Sequence, residues 1–389
     1  MKSAPISGIQ PAVLKWARVS IGLSIYDVAD KLKRTATEIE EWESGVGAPS
    51  YPQLEKLAYD IYKRPMAVFF LPTPPEEKMA EKEFRTLPDA DLQHLLPDTH
   101  LHIRRAHAYQ LALTELFDGV NPTQQPVWRH VQLSSSKAIG KQAAAIRTAL
   151  GISLDEQTKW RNDDTALKKW RLAIENVGIF VFKDAFKQKE ISGFCLVDNT
   201  FPIIYLNNST TKTRQIFSLM HELCHLLLSV NGISKFDKSY INALSGHEKA
   251  IEQFCNAVSA EVLIPIADFN AQTAHIVNVD NMDDFEFEQL ALRYGVSREA
   301  ILRRFLDQNR ASQLFYEKKS DFWKSQQKRG SGGNYYATQN TYLSERFAKE
   351  VVSRYYKRQL SVEQASDLLG IKPKNFSGLE QLIMQGGAA

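Results

Sequence analysis

Along most of this chain the apolar residues recur at helical spacing; in one stretch only do they switch to the shorter period of strands. Residues 10–71 read as a compact set of short helices. Ser24 caps a helix carrying Val28, Ala29 and Leu32. Thr35 opens the next, with Glu38 three residues on in a capping-box pattern and Ile39 and Trp42 as its apolar stripe. The Gly- and Pro-bearing run Ser44–Ser50 stops that helix, and a further one carries Leu54, Leu57 and Ala58. Leu71–Glu77, with Pro72, Pro74 and Pro75, reads as a stiff polar linker.

Residues 80–175 continue the helical period, broken at Asn121–Pro126, and carry no recognisable chemistry. Val177–Phe182, Ile191–Val197 and Pro202–Leu206 are short, rich in Val, Ile and Phe, and bounded by turn residues, so they are expected to be strands. A helix over about Thr213–Ser229 follows, apolar nearly all round and therefore buried. A second runs from about His247 to Ile264 and ends at Pro265, with more helices to about residue 310. Arg329–Asn334 is Gly/Ser-rich, a flexible linker, before a last helical unit at about 340–386. The expected division is 1–71, a helical connecting region 80–175, a domain at 176–310, and a C-terminal unit 335–389. No fixed-period repeat is present.

Composition narrows this picture. With 389 residues, 43% hydrophobic and 24% charged, the chain is that of a soluble, multi-domain protein. Met1–Gln10 lacks the apolar run of a signal peptide, and no stretch approaches the roughly 20 apolar residues that span a bilayer. Three cysteines, Cys195, Cys224 and Cys255, make no disulfide framework, so a cytoplasmic, reducing setting without membrane association is expected. A net charge of +3 neither announces nor excludes a nucleic-acid partner.

The chemistry sits in His221-Glu222-Leu223-Cys224-His225, an HExxH run on the buried helix. Residues four apart share a helix face, so His221 and His225 can point two imidazoles at one zinc ion. Glu222 between them is the candidate catalytic residue, a general base for a water that zinc acidifies toward a pKa of about 7. Left unsatisfied in such a helix, these side chains would cost several kcal/mol. The competing reading is a hydrogen-bonded polar cluster in an ordinary core. The three strands upstream would put a sheet edge beside the metal, where a substrate peptide can lie as an extra strand.

The third metal ligand is expected on the second helix. Glu252 and Glu261 are nine residues apart, about 900° of helix rotation, so only one can face the metal. Ile251, Cys255, Val258 and Val262 define the buried stripe and Glu252 flanks it, which leaves Glu261 a structural role. Asn256, one turn on from Glu252, can hydrogen-bond a ligand histidine. Cys255 is the chemical runner-up, since thiolate also binds zinc. Cys224 and Cys255 otherwise read as reduced core residues. Arg214 reads as an exposed residue near the helix start and His247 as a weak candidate for oxyanion stabilisation. His94, His100, His102, His107 and His130 form no ligand-spaced pair with a carboxylate, and His102 and His107 are expected at the surface.

These segments resemble the ImmA/IrrE family of metallopeptidases. The resemblance is carried by Ile191–Phe194, Ile203–Asn207, Arg214–His225, Glu252–Pro265 and Arg293–Phe305. The family's acidic ligand precedes an Asn or Asp by four, which again points to Glu252. The N-terminal unit resembles the Cro/phage-repressor helix-turn-helix of XRE type, through Ser24, Val28-Ala29, Ile39, Trp42–Gly45, Pro49-Ser50 and Leu54. The fold class expected is α+β: mostly helical, a helix-turn-helix unit followed by a zincin-like (gluzincin) peptidase domain with a small β-sheet. The pairing implies a zinc-dependent hydrolase that cleaves a protein regulator, such as a repressor or toxin–antitoxin partner.

Departures from the repressor pattern bear on DNA. The face that would read bases, including Thr35, Thr37, Glu38 and Glu41, is acidic and would meet phosphate oxygens. Ile25 stands where such repressors often carry a phosphate-contacting Gln, and residues 1–71 hold nine Lys/Arg against eight Asp/Glu. DNA binding and a protein-docking or homodimerising role are therefore both open for this unit. The rival function is a transcription regulator or antitoxin in which the zinc fold is a sensor or platform, although such a site has no use for Glu222.

Overall fold

The computed structural model describes residues 4–77, 84, 95–160, 162–235, 244, 246–326 and 335–385. Arg329–Asn334, expected as a linker, and His94 lie outside these residues. The class is α+β, mostly helical with one four-stranded sheet. The chain divides into two compact units, residues 1–107 with 186–188, and residues 108–185 with 189–389.

In the first unit, α1 (Pro11–Val19), α2 (Ile25–Leu32), α3 (Ala36–Ser44) and α4 (Tyr51–Glu55) enclose a core of Val13, Leu14, Val28, Ile39, Trp42 and Leu54. Ser24 and Asp27 form a reciprocal capping box at α2. At α3 only half of the expected box forms. Thr35 Oγ1 accepts from the Glu38 amide at 3.2 Å, while the Glu38 carboxylate lies 3.8 Å from Arg34. Glu43 turns inward to a two-pronged pair with Arg18, at 2.7 and 2.8 Å. Thr35, Thr37 and Glu41 are exposed.

His102 corrects an expectation. On α5 (Pro97–Leu116) it is buried, not at the surface, with its ring stacked 4.4 Å from Phe186 and its Nε2 3.3 Å from Asp98 one turn back. It thus has a carboxylate partner at i−4, where none was expected. An imidazole can be buried in this way because its faces are apolar and only its two nitrogens need partners.

The second unit is built round the sheet. After α6 (Ile139–Leu150) and α7 (Asp163–Asn176) come β1 (Phe180–Asp184), β2 (Ile191–Leu196) and β3 (Ile203–Asn207). Next are α8 (Lys212–Leu227), β4 (Gly232–Lys235) and α9 (Gly246–Leu263). β1 begins three residues later than the pattern suggested, because Val177 still caps α7. β4 is the strand that the pattern did not show: Gly232–Lys235 is too short to display alternation.

The strands lie in the order β1-β3-β2-β4, with β1 parallel to β3 and the other pairs antiparallel. All residues of β2 and β3 are buried, so these two strands are covered on both faces. Gly193 sits where a Cβ would lie 2.8 Å from the Tyr205 carbonyl oxygen, so β2 can approach β3 only without a side chain there.

α8 is the central helix and packs against α7, α9, β2 and β3. Ile216, Leu219, Met220, Leu223, Leu226 and Leu227 are all buried. Each such side chain contributes about 1.5–3 kcal/mol on leaving water, enough to hold a helix that also carries polar groups inward. Helices α10 (Ile266–Gln272), α11 (Asp284–Tyr294) and α12 (Arg298–Asp307) follow, as expected to about residue 310, and α13 (Gln313–Ser325) comes after them. α14 (Tyr335–Tyr342), α15 (Glu345–Tyr356), α16 (Val362–Leu368) and α17 (Phe376–Met384) end it. No single described helix is long and apolar enough to cross a membrane.

Candidate metal centre

α8 places His221 and His225 one turn apart, and α9 brings Glu252 across to them. His221 Nε2 lies 3.1 Å from Glu252 Oε2, His225 Nε2 lies 3.2 Å from Glu252 Oε1, and the two Nε2 atoms are 3.0 Å apart. Among the described residues this is the group whose donor atoms converge as those of a metal site do. All three residues are buried.

Protons alone satisfy this arrangement poorly. If each Nε2 donates to one carboxylate oxygen, two N–H groups face each other at 3.0 Å; if one ring donates to the other, a carboxylate oxygen loses its donor. One cation between the rings and the carboxylate removes the conflict. Donors held about 2.0–2.1 Å from a tetrahedral ion stand roughly 3.3 Å apart, close to the separations seen. The residues therefore fit a metal.

Their electrostatics agree. Burial by itself would raise the Glu252 pKa, but the imidazoles of His221 and His225 outweigh it and hold the carboxyl far below its usual range. Burial would lower His221, yet Glu252, and more weakly a hydrogen bond with Asn256, raise it instead.

Glu222 is fully buried beside the cluster, and that burial raises its pKa despite the two histidines. Its Oε1 accepts a short hydrogen bond from the Ser234 hydroxyl on β4. Its Oε2 is buried without a hydrogen-bond partner. A carboxylate fixed at one oxygen and open at the other is arranged to take a proton.

Glu261 faces away. It accepts from the Ile266 amide at 3.1 Å and pairs with Arg304, which also donates to the Ile264 carbonyl at 2.6 Å, so it ties the end of α9 to α12. Cys255 and Cys224 are buried free thiols outside the donor cluster, and burial pushes the Cys224 thiol up to about 12. Arg214 and His247 are exposed.

Two contributors escaped sequence reasoning. Ser234 orients Glu222 from β4. Gly232 lets the strand pass His225, since a Cβ there would lie 2.8 Å from the ring's Cγ. The turn that makes this possible has Ser229 at φ 58°. No local signal marks either residue, because both act across a tertiary contact.

Residues 174–306 match the Peptidase_M78 family model, described as the IrrE N-terminal-like domain. No curated protein matches the chain. The matched span includes His221, Glu222, His225 and Glu252 and supports a metallopeptidase-type function for this part of the chain.

Proposed function

We propose that this protein is a zinc-dependent endopeptidase that cleaves a protein regulator, a repressor or an antitoxin-like partner. The observation that carries the reading is the convergence of His221, His225 and Glu252 beside a buried Glu222. Zinc held by those three side chains would supply a Lewis acid and an acidified water at neutral pH. Glu222 takes the proton from the attacking water on Oε2 while Ser234 holds Oε1. Its raised pKa suits it to keep that proton and then pass it to the departing amine. Asn256 steadies the His221 ring.

β4 is one of the two edge strands of the described sheet and the one that runs beside the site, so the substrate chain is proposed to lie along it as an added strand. The three buried free thiols support work in a reducing, cytoplasmic setting. The protein-regulator substrate rests on the resemblance of the N-terminal unit to repressors. The test is incubation of the metal-loaded protein with partners encoded by neighbouring genes, with Glu222→Gln beside it. Cleavage by the wild type alone supports the reading; equal cleavage by both overturns it.

A further inference from the structure

Away from the metal centre, the second unit holds a cavity of about 230 Å³ walled by α7, β1, the first turn of α8, the α14–α15 segment and the end of α17. Three of its charged groups, Arg171, Glu175 and Lys183, lie deep. Arg171 on α7 donates to the carbonyls of Val181 at 2.7 Å and Thr341 at 2.6 Å, and to Leu343. Glu175, one turn on, accepts from the amides of Glu345 at 3.0 Å and Arg346 at 3.4 Å. Arg171 Nε and Glu175 Oε1, 3.6 Å apart, are both buried and without a hydrogen bond. These two residues are thus largely spent on clipping the C-terminal helices to α7.

Lys183 is different. It sits on β1 at 5% exposure, and its Nζ has a hydrogen bond of 3.4 Å to Gln215 Oε1 on α8. Among the described residues no carboxylate lies at ion-pair distance from it, and Lys212 across the cavity is already paired with Asp164. An ammonium with three donors, one long hydrogen bond and no counter-charge is costly to bury. Burial, followed by Arg171 and Lys212, pushes its pKa well down against the pull of Asp164. What the position lacks is an anion.

We infer that this cavity binds a small organic carboxylate, its charged end on Lys183 and its apolar body against Leu167, Leu172, Leu343 and Ile383. Those four residues line the cavity, so one wall suits hydrocarbon. A phosphate dianion fits less well, because Glu175, Asp164 and Glu345 stand round the same space. A cavity of 150 Å³ takes benzene, so this one has room for about nine non-hydrogen atoms, the size of benzoate.

The test uses the full-length protein, with benzoate, its uncharged analogue benzamide, and inorganic phosphate, followed by calorimetry and ligand-observed NMR. Benzoate is expected to saturate one site per chain at millimolar or lower concentration, roughly what so few atoms can supply. Benzamide and phosphate should bind at least tenfold more weakly. Lys183→Met replaces a buried amine that has one long hydrogen bond, so the variant should fold with an unchanged or higher Tm and lose benzoate affinity by tenfold or more. Leu172→Trp, half-buried at the wall, should block the cavity with all charges intact and give the same loss. Benzamide binding as tightly as benzoate, tighter binding of phosphate, unchanged benzoate affinity in folded Lys183→Met, or no saturable binding of any probe would each overturn the assignment.

Discussion

Two clusters of buried charge among the described residues of the second unit are opposites. Around α8 and α9, two imidazoles and a carboxylate crowd one point at 3.0–3.2 Å and compete for protons. Around α7 and β1, the Lys183 amine lines a cavity in which no carboxylate of the described residues lies at ion-pair distance from it. The first is complete once a cation is supplied; the second, once an anion is. Buried charge is tolerated only when its partner is in place, so the kind of partner missing is informative. The exposed acidic face of α3 makes a third case, where water satisfies the charges and nothing further is implied.

The largest effect expected is at Glu222. Glu222→Gln should keep about one zinc per chain and slow cleavage by about 10²–10⁴-fold, the usual weight of a general base. Metal analysis beside a cleavage time course checks this, and a wild-type rate would end the mechanism. His221→Ala should lose the metal and lower Tm, and chelation of the wild type should lower Tm too.

Next come the two glutamates of α9. Glu252→Ala should weaken zinc binding by 100-fold or more. Glu261→Ala should retain a full metal complement but cost about 1–3 kcal/mol, because half-buried Arg304 loses its ion pair and the Ile266 amide its acceptor. Metal titration together with urea unfolding separates these outcomes. The reverse pattern would mean that α9 is rotated from the phase described.

Glu175 sharpens the contrast through pH. Burial raises its pKa to about 7, against 4.5 for the free side chain, in spite of Arg171. The folded protein therefore holds a proton there that the unfolded chain has released. Stability from this group is present below about pH 4.5 and is lost as pH rises to about 7, by on the order of 3 kcal/mol. Glu175→Gln should flatten that part of the profile, read by unfolding at pH 5 and pH 8. An identical slope in the variant would show that Glu175 is not the source.

The smallest effect concerns α3. Any DNA binding by residues 1–71 should be weak, with a shallow salt dependence, since few phosphates can be neutralised. Salt-titrated binding to the gene's own promoter is the measurement. A tight complex with a steep slope would favour the transcription-regulator reading.

How much of this was legible in the sequence depends on how local each feature is. The pairing of His221 with His225 follows from helix geometry, and Glu252 from the phase of one apolar stripe, so both could be read without a fold. Ser234 and Gly232 could not, because β4 is four residues long and meets Glu222 and His225 only through the turn at Ser229. Lys183 left a faint signal: a lysine after Phe180, Val181 and Phe182, in a strand apolar on both faces, has no wet side to turn to. Arg171 and Glu175 were visible as an i,i+4 pair, but that spacing is as common on solvated helix faces, and only the C-terminal helices bury it. His102 was misplaced for the same reason, since its cover, Phe186, comes from a distant part of the chain.

The close passage of β4 over His225 also has an evolutionary reading. Every single-base change from a glycine codon that alters the residue adds at least a Cβ, and at position 232 that atom meets the imidazole at 2.8–3.0 Å. A saturation library should therefore show a sharp dip in tolerance at Gly232. Position 232 is thus expected to be among the least tolerant of those packed on α8, although its residue brings no functional group of its own.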